Sequence, residues 1–346
     1  MIILIFLMIV GLAAFFSIQD RKGKNEVMGW IPYWDQETAF QSFKKNVKEI
    51  NYISVFWYRL DENGNVGLYS KAKENKSIIR YAKNNNVKVI ALVANLSESN
   101  QNIWDYKRVD KAISDKEKRG NHIAQIVNLV EKNNFDGVDI DYESLKSQQK
   151  NDFSQFIKEL STELHKRNKI LGVAVYPKTS KTNPYDANGA GAQDLKKIGK
   201  YADQLYFMTY LEHGSFSEPG PIGSLNSTNQ AIKYGISQLP RSKIFIGIGL
   251  IGSRWVKENG QYKGADDELT FSQIVSISQN QKAEPIWDED SKTPYINFWS
   301  NGNENIIWFE NAESIKLRVE LAKNLGVGGV SFWRLGNEDE RIWRLF

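Results

Sequence analysis

"FDGVDIDYES", residues 135–144, sets Asp139, Asp141 and Glu143 at every second position of an otherwise apolar run. Side chains two apart on a β-strand share a face, so the three carboxylates converge while Val138, Ile140 and Tyr142 point the other way. One face is apolar and the other acidic. A solvated edge strand would also tolerate such acids, but Phe135, Val138, Ile140 and the neighbouring segments argue for a central strand. A calcium loop fails: Ser144 stands where the EF-hand glycine belongs, and Lys150 where its bidentate Glu belongs.

Outward from this segment, short β-branched or aromatic runs alternate with amphipathic stretches, as expected of a parallel sheet built from βα units. The strand candidates are "VMGWIPYW" (27–34), "YISVFWYRL" (52–60), "VKVIALVANL" (87–96), "FDGVDIDYE" (135–143), "ILGVAVYP" (170–177), "QLYFMTY" (204–210), "IFIGIGLI" (244–251) and "VGGVSFWRL" (327–335). Between the fourth and fifth, Phe153, Phe156, Ile157, Leu160 and Leu164 recur at helical spacing within 148–168. The pattern predicts an α/β protein, a closed (β/α)8 TIM barrel, with an open doubly wound sheet as the alternative. No G-x-G-x-x-G follows the first strand, which removes the main support for nucleotide binding. The interval between the seventh and eighth strands is longer than one helix requires, and its Asn301-Gly302 reads as a hairpin turn. A small α+β insertion is expected at about 256–310, over the barrel mouth, within a unit spanning 27–346.

Composition narrows the function classes. The 346-residue chain carries a net charge of +4 without a dense Lys/Arg block, so nucleic acid is not an expected partner. It has no cysteine, which excludes disulfides, thiolate nucleophiles and cysteine metal sites. His122, His165 and His213 are scattered without metal-ligand spacing and read as surface or structural residues; no metal or cofactor is expected. Residues 1–19 are apolar from Met1 to Phe16, with no charge before Asp20. As a helix a run of about 17 residues reaches about 26 Å, so it reads as a signal peptide or a membrane anchor, joined by a linker over 20–26 to an exterior-facing domain. The basic residues Arg21, Lys22 and Lys24 follow the apolar run, against the positive-inside tendency.

In a barrel, functional groups stand at the carboxyl ends of the strands, so Asp139, Asp141 and Glu143 rise toward the mouth in that order. Two charges about 4 Å apart repel by about 4 kcal/mol at an effective dielectric near 20, roughly three pKa units. At least one proton is therefore held within the row, leaving the outermost acid suited to act as a general acid near neutral pH.

These residues resemble a known family. "DGVDIDYE" is similar, acid for acid, to the D-x-x-D-x-D-x-E signature of glycoside hydrolase family 18, the chitinase-like enzymes. "GWIPYW" resembles that family's first strand, "MTY" (208–210) its sixth-strand motif, and "SFWRLG" (331–336) its eighth strand with a pocket-floor tryptophan. "EHGSFSEPGPIGSL" (212–225), "WDEDSKTPYINF" (287–298) and "FWRLGNEDERIW" (332–343) look closest to the bacterial spore-cortex and cell-wall branch.

The resemblance implies a retaining hydrolase of β-linked N-acetylglucosaminyl bonds in peptidoglycan or chitin-like polymers, working by substrate assistance. On that reading Glu143 protonates the leaving oxygen, Asp141 orients the substrate acetamide, Asp139 shares a proton behind it, Tyr210 bonds the acetamide oxygen and Trp333 stacks beneath the ring. Met208 is expected in the pocket wall. Trp30, Trp34, Tyr58 and Trp255 lie at or beyond strand ends, where flat rings can stack on sugars, although core packing is the simpler role for such residues. One departure stands out: Leu211 follows Met-x-Tyr where the family usually has Asp. The alternative function is a non-catalytic carbohydrate-binding protein on the same barrel, which Leu211 favours and Glu143 opposes.

Overall fold

The eight apolar runs form strands because β-branched and aromatic side chains pack on a pleated surface covered on both sides. The structure, a computed structural model, describes residues 25–98, 103–180, 189–210 and 212–346. The expected signal or anchor over 1–19 and Leu211 lie outside the described residues.

Strand β1 (Glu26–Pro32) is followed by helix α1 (Gln36–Lys45), β2 (Tyr52–Leu60), the short β3 (Val66–Leu68), α2 (Lys76–Asn84) and β4 (Lys88–Ala94). Helices α3 (Tyr106–Ile113) and α4 (Lys116–Lys132) lead to β5 (Gly137–Asp141), the acidic strand. Then come α5 (Lys150–His165), β6 (Ile170–Val175), α6 (Leu195–Tyr201), β7 (Gln204–Phe207), α7 (Leu225–Gln238) and β8 (Ile244–Gly249). The sheet runs β1-β14-β8-β7-β6-β5-β4-β2 and closes through β1 on β2, where β14 is Gly329–Trp333 and every pairing in the ring is parallel. This is a (β/α)8 barrel, and an open sheet is excluded by the β1–β2 pairing. Phe153, Phe156, Ile157, Leu160 and Leu164 of α5 are all fully buried, the stripe that the helical spacing predicts.

Strands end earlier than their apolar runs. β7 stops at Phe207, because Thr209 turns its Oγ1 onto the Gly247 carbonyl of β8 at 2.7 Å, and "MTY" becomes a turn at the mouth. β1 stops at Pro32, and the chain enters a short 3-10 turn at Tyr33–Asp35. At Gly247 a Cβ would meet the Phe207 carbonyl at 2.3 Å and the Tyr210 ring at 2.9 Å, so its missing side chain makes the space that Tyr210 fills.

Between β8 and β14 lies the insertion, an antiparallel sheet ordered β10-β9-β13-β12-β11. Its strands are β9 (Gly252–Glu258), β10 (Gln261–Leu269), β11 (Ile286–Asp288), β12 (Thr293–Ser300) and β13 (Asn303–Phe309), with α8 (Phe271–Gln281) between β10 and β11. Ile274 of α8 packs on Ile296, Phe298, Ile307 and Phe309 as a separate small core. Asn301 and Gly302 take φ of 52° and 76°, the left-handed pair that a tight hairpin needs. Asn259-Gly260 turns β9 into β10 in the same way, at φ 52° and 81°. That second Asn-Gly was equally visible in the sequence. Helix α9 (Ala312–Leu325) then returns the chain to the barrel.

Candidate active site

The acid row stands on β5 because its parity is fixed from both sides. Behind the strand, the outward Tyr142 hydroxyl lies 2.7 Å from His122 Nε2, and Val138 and Ile140 are fully buried among the helices. Burial depresses the His122 pKa to about 3, so this ring is a neutral structural partner. Asp136, one residue before the strand, accepts the Val89 backbone N–H at 2.9 Å and is also structural.

Inside the barrel, Asp139 is the deepest acid. Its Oδ2 accepts the Trp30 indole N–H from β1 and the Ser54 hydroxyl from β2, each at 2.9 Å. Burial still raises its pKa to about 6, against the pull of those two donors. Asp141 is raised well above the usual carboxylate range, first by burial and then by the charges of Glu143 and Asp139. Oδ1 of Asp139 and Oδ1 of Asp141 are both buried and meet no hydrogen-bond partner among the described residues, an arrangement suited to holding an extra proton. Glu143 stands just past the strand end, 8% exposed, and burial raises its pKa to about 7.

The backbone of Glu143 is pinned by Asn95, past the end of β4. Asn95 Oδ1 accepts the Glu143 N–H at 2.8 Å, and its Nδ2 donates to the Glu143 carbonyl at 2.9 Å. The carboxyl itself accepts a hydrogen bond at Oε2 from the Tyr176 hydroxyl, past the end of β6. Tyr210 and Met208 pack with Ala174, Tyr176, Ala190 and Ile222 in a small cluster against which Trp333 also lies. Burial, then the charges of Asp141, Glu143 and Asp139, hold the Tyr210 phenol protonated and able to donate. Trp333, at the end of β14, is partly open, and its peptide to Arg334 is cis. Glu268 of β10 accepts the Trp333 indole N–H at 3.4 Å, and the Arg334 guanidinium lies 3.8 Å from it, so the insertion reaches the end of β14.

The structure therefore brings Asp139, Asp141, Glu143, Tyr210, Met208 and Trp333 together. Trp34 stands at the rim, 43% exposed, its ring centre 6.2 Å from that of Trp333. Three expected sugar contacts are corrected. Trp30 is 2% exposed and spends its N–H on Asp139, so it supports the acid from below and shows no ring face. Tyr58 is buried outside the barrel mouth against Phe135, with its hydroxyl on Glu74 at 2.8 Å. Trp255 is fully buried in β9 and donates to the Ser217 carbonyl at 2.8 Å, joining the insertion to the loop after β7.

Tyr176, Asn95, Ser54 and Glu268 were not singled out by the sequence. Asn95 and Tyr176 follow strand ends, the place where a barrel keeps its functional groups. The β5–β6 register, Asp139 opposite Gly172, carries Tyr176 to the level of Glu143, but that register is known only from the fold. Among the described residues, no group of three His, Cys, Asp or Glu side chains is placed to hold a metal ion.

Comparison with known proteins agrees with this geometry. The family described as Glycosyl hydrolases family 18 matches residues 26–338. The chain is 26% identical over 328 residues to the uncharacterized glycosylase YvbX of Bacillus subtilis, covering 93% of this chain and 92% of that one. It is 23% identical to the cortical fragment-lytic enzyme of the same organism, over 89% of this chain and 70% of the relative. Among solved structures, the spore cortex-lytic enzyme SleL of Bacillus cereus superposes with a TM-score of 0.84 at 21% identity, covering 93% of this chain and 73% of that one. A chitinase from Chromobacterium violaceum superposes at 0.83 with 24% identity, covering 93% and 97%. The chain belongs to glycosyl hydrolase family 18 and is a glycoside hydrolase.

Proposed function

We propose that the protein is a retaining β-N-acetylglucosaminidase that cuts peptidoglycan or a chitin-like polymer, with Glu143 as proton donor and the substrate's own acetamide as nucleophile. The observation that carries this reading is the one-sided acid row. Retention through an enzyme nucleophile needs two carboxyls on opposite faces of the sugar, about 5 Å apart. Asp141 and Glu143 come from the same face of one strand, with Cα atoms roughly 7 Å apart by strand rise, and so reach a sugar from the same side.

In the first step Glu143 gives its proton to the glycosidic oxygen as the bond from C1 to that oxygen breaks. The acetamide carbonyl oxygen closes on C1 to form an oxazolinium ion. Asp141 accepts the acetamide N–H and faces the developing positive charge, while the Tyr210 hydroxyl donates to the acetamide oxygen. Asp139, held by Trp30 and Ser54, keeps a shared proton beneath Asp141. Trp333 offers its open face to the apolar side of the ring. Glu143, now ionised, takes a proton from water, which opens the oxazolinium at C1 and restores the β configuration.

The cortex-lytic names among the relatives support a peptidoglycan substrate, and the chitinase names support chitin-like oligomers. The proposal extends to location: residues 1–19 direct the enzyme to the membrane, with the barrel outside the cell. Among the described residues no helix is long and apolar enough to cross a membrane.

The test is mass spectrometry of purified peptidoglycan and of chitin oligomers after incubation with the parent protein and with Glu143→Gln, joined to early-time proton NMR of the products. Cleavage by the parent alone, with the β-anomer appearing first, is the expected result. Equal digestion by both proteins would remove Glu143 as the donor, and an α-anomer first would remove retention.

A further inference from the structure

We propose that Tyr176 is the positioning residue of the acid Glu143: its hydroxyl holds Oε2, leaves Oε1 to meet the glycosidic oxygen, and sets the pH at which the proton is carried. This rests on Glu143 being the donor.

Along the inward line of β6 the residues are Gly172, Ala174 and Tyr176, beside Asp139, Asp141 and Glu143 in turn. The first two have almost no side chain. The Tyr206 ring of β7 fills the space left by Gly172, and on β6 itself the first polar side chain beside the row is Tyr176, whose hydroxyl donates to Glu143 Oε2. The tyrosine is itself fixed. Its backbone N–H donates to Gln193 Oε1 at 2.8 Å, and Gln193 Nε2 returns to the Ala174 carbonyl at 3.2 Å. Gly189, with φ of 107°, lies so near the ring that a Cβ there would stand 3.1 Å from Cε2. The Ser144 backbone N–H is directed at the phenol oxygen. An oxygen that accepts from Ser144 must aim its own proton elsewhere, and Glu143 is the acceptor in reach.

A donor on a carboxylate favours the charged form, so Tyr176 opposes the rise that burial imposes on Glu143. Among the described residues, the titratable groups whose charges act with Glu143 include Asp141, beside the deeper Asp139 on its own strand, and Tyr210 beyond β7. Asn95, from beyond β4, is neutral and binds only backbone. Among these groups Tyr176 alone donates to the Glu143 carboxyl.

The experiment is a pH titration of Glu143 by carbon-13 NMR of labelled glutamate carboxyls, assigned through Glu143→Gln, in the parent and in Tyr176→Phe. It is run beside pH–rate profiles on the oligosaccharide that the parent cleaves. The general acid works protonated, so its titration forms the alkaline limb of the profile. Loss of the donor moves the Glu143 midpoint and that limb upward together, by about one pH unit. The rate constant kcat falls by about tenfold or more while KM changes little, because the carboxyl is misplaced and the sugar contacts are not. Site-specific 3-fluorotyrosine at 176, a stronger donor of the same shape, moves the midpoint downward. An unmoved midpoint in Tyr176→Phe, with an unchanged melting temperature, would overturn the proposal, as would fluorotyrosine and phenylalanine shifting it in the same direction. A moved midpoint in a chain whose Glu143→Gln variant is fully active would leave the hydrogen bond standing and sink the functional reading instead.

Discussion

Two glutamates in this protein are buried to the same degree and meet opposite fates. Glu143 at the barrel mouth and Glu310 between β13 and α9 are both raised by burial to about 7. Glu310 has a cation: Arg318 Nη2 lies 2.9 Å from its Oε1, and the Ser314 hydroxyl donates to Oε2 at 2.5 Å. Arg318 also donates to the Ser314 carbonyl and to the Gly223 carbonyl in the loop after β7. Glu143 takes its hydrogen bond from the neutral Tyr176 hydroxyl and shares its strand with the other two acids of its row. Burial alone thus does not make a catalytic acid. A buried acid with an arginine is a brace, while one among its own kind keeps a proton that can be given away.

With Glu143 as the proposed proton donor, Glu143→Gln has the largest expected effect: kcat on unactivated oligosaccharide falls by about a thousandfold, read by product analysis. The matching change at the brace, Glu310→Ala, leaves Arg318 buried without its partner and costs about 3 kcal/mol of stability in urea denaturation, while the folded enzyme keeps its kcat. Loss of kcat in Glu310→Ala at full folding would erase the distinction. Asp141→Asn sharpens it: on the proposed mechanism, removing one acid of the row while leaving Glu143 in place lowers kcat by about a hundredfold through lost stabilisation of the cationic intermediate.

The smallest effect is a change of slope. A carboxyl raised in the fold from 4.5 to about 7 binds its proton in the native state before the unfolded chain does. Its contribution is full below about 4.5 and is lost as the pH rises through about 7. Glu143→Gln therefore gains thermal stability relative to the parent as pH rises across that window, measured by calorimetric melting. A parallel pair of melting curves would show that Glu143 is not raised.

How much of this could be read in advance differs from residue to residue. Asp139, Asp141 and Glu143 were legible because strand parity is local, and the α5 stripe and the Asn301-Gly302 turn were legible for the same reason. For Trp30, Tyr58 and Trp255 the sequence left a sugar contact open beside the simpler role in packing, because a ring at a strand end can face the sugar, the core or another element, and sequence position does not distinguish these; all three are buried. The Arg318–Glu310 brace joins residues only eight apart, yet its third partner, Gly223, lies 95 residues from Arg318 and comes within reach only when the loop after β7 folds back.

By itself the sequence determined the alternation of strands and helices, the inward direction of the three acids and the place of the insertion, since each depends on periodicities of two or 3.6 residues and on turn chemistry. The tertiary structure alone decided how those acids are partnered: that Trp30 donates to Asp139, and that Tyr176 meets Glu143. Those outcomes depend on strand register and ring closure, which bring together groups that no local pattern relates.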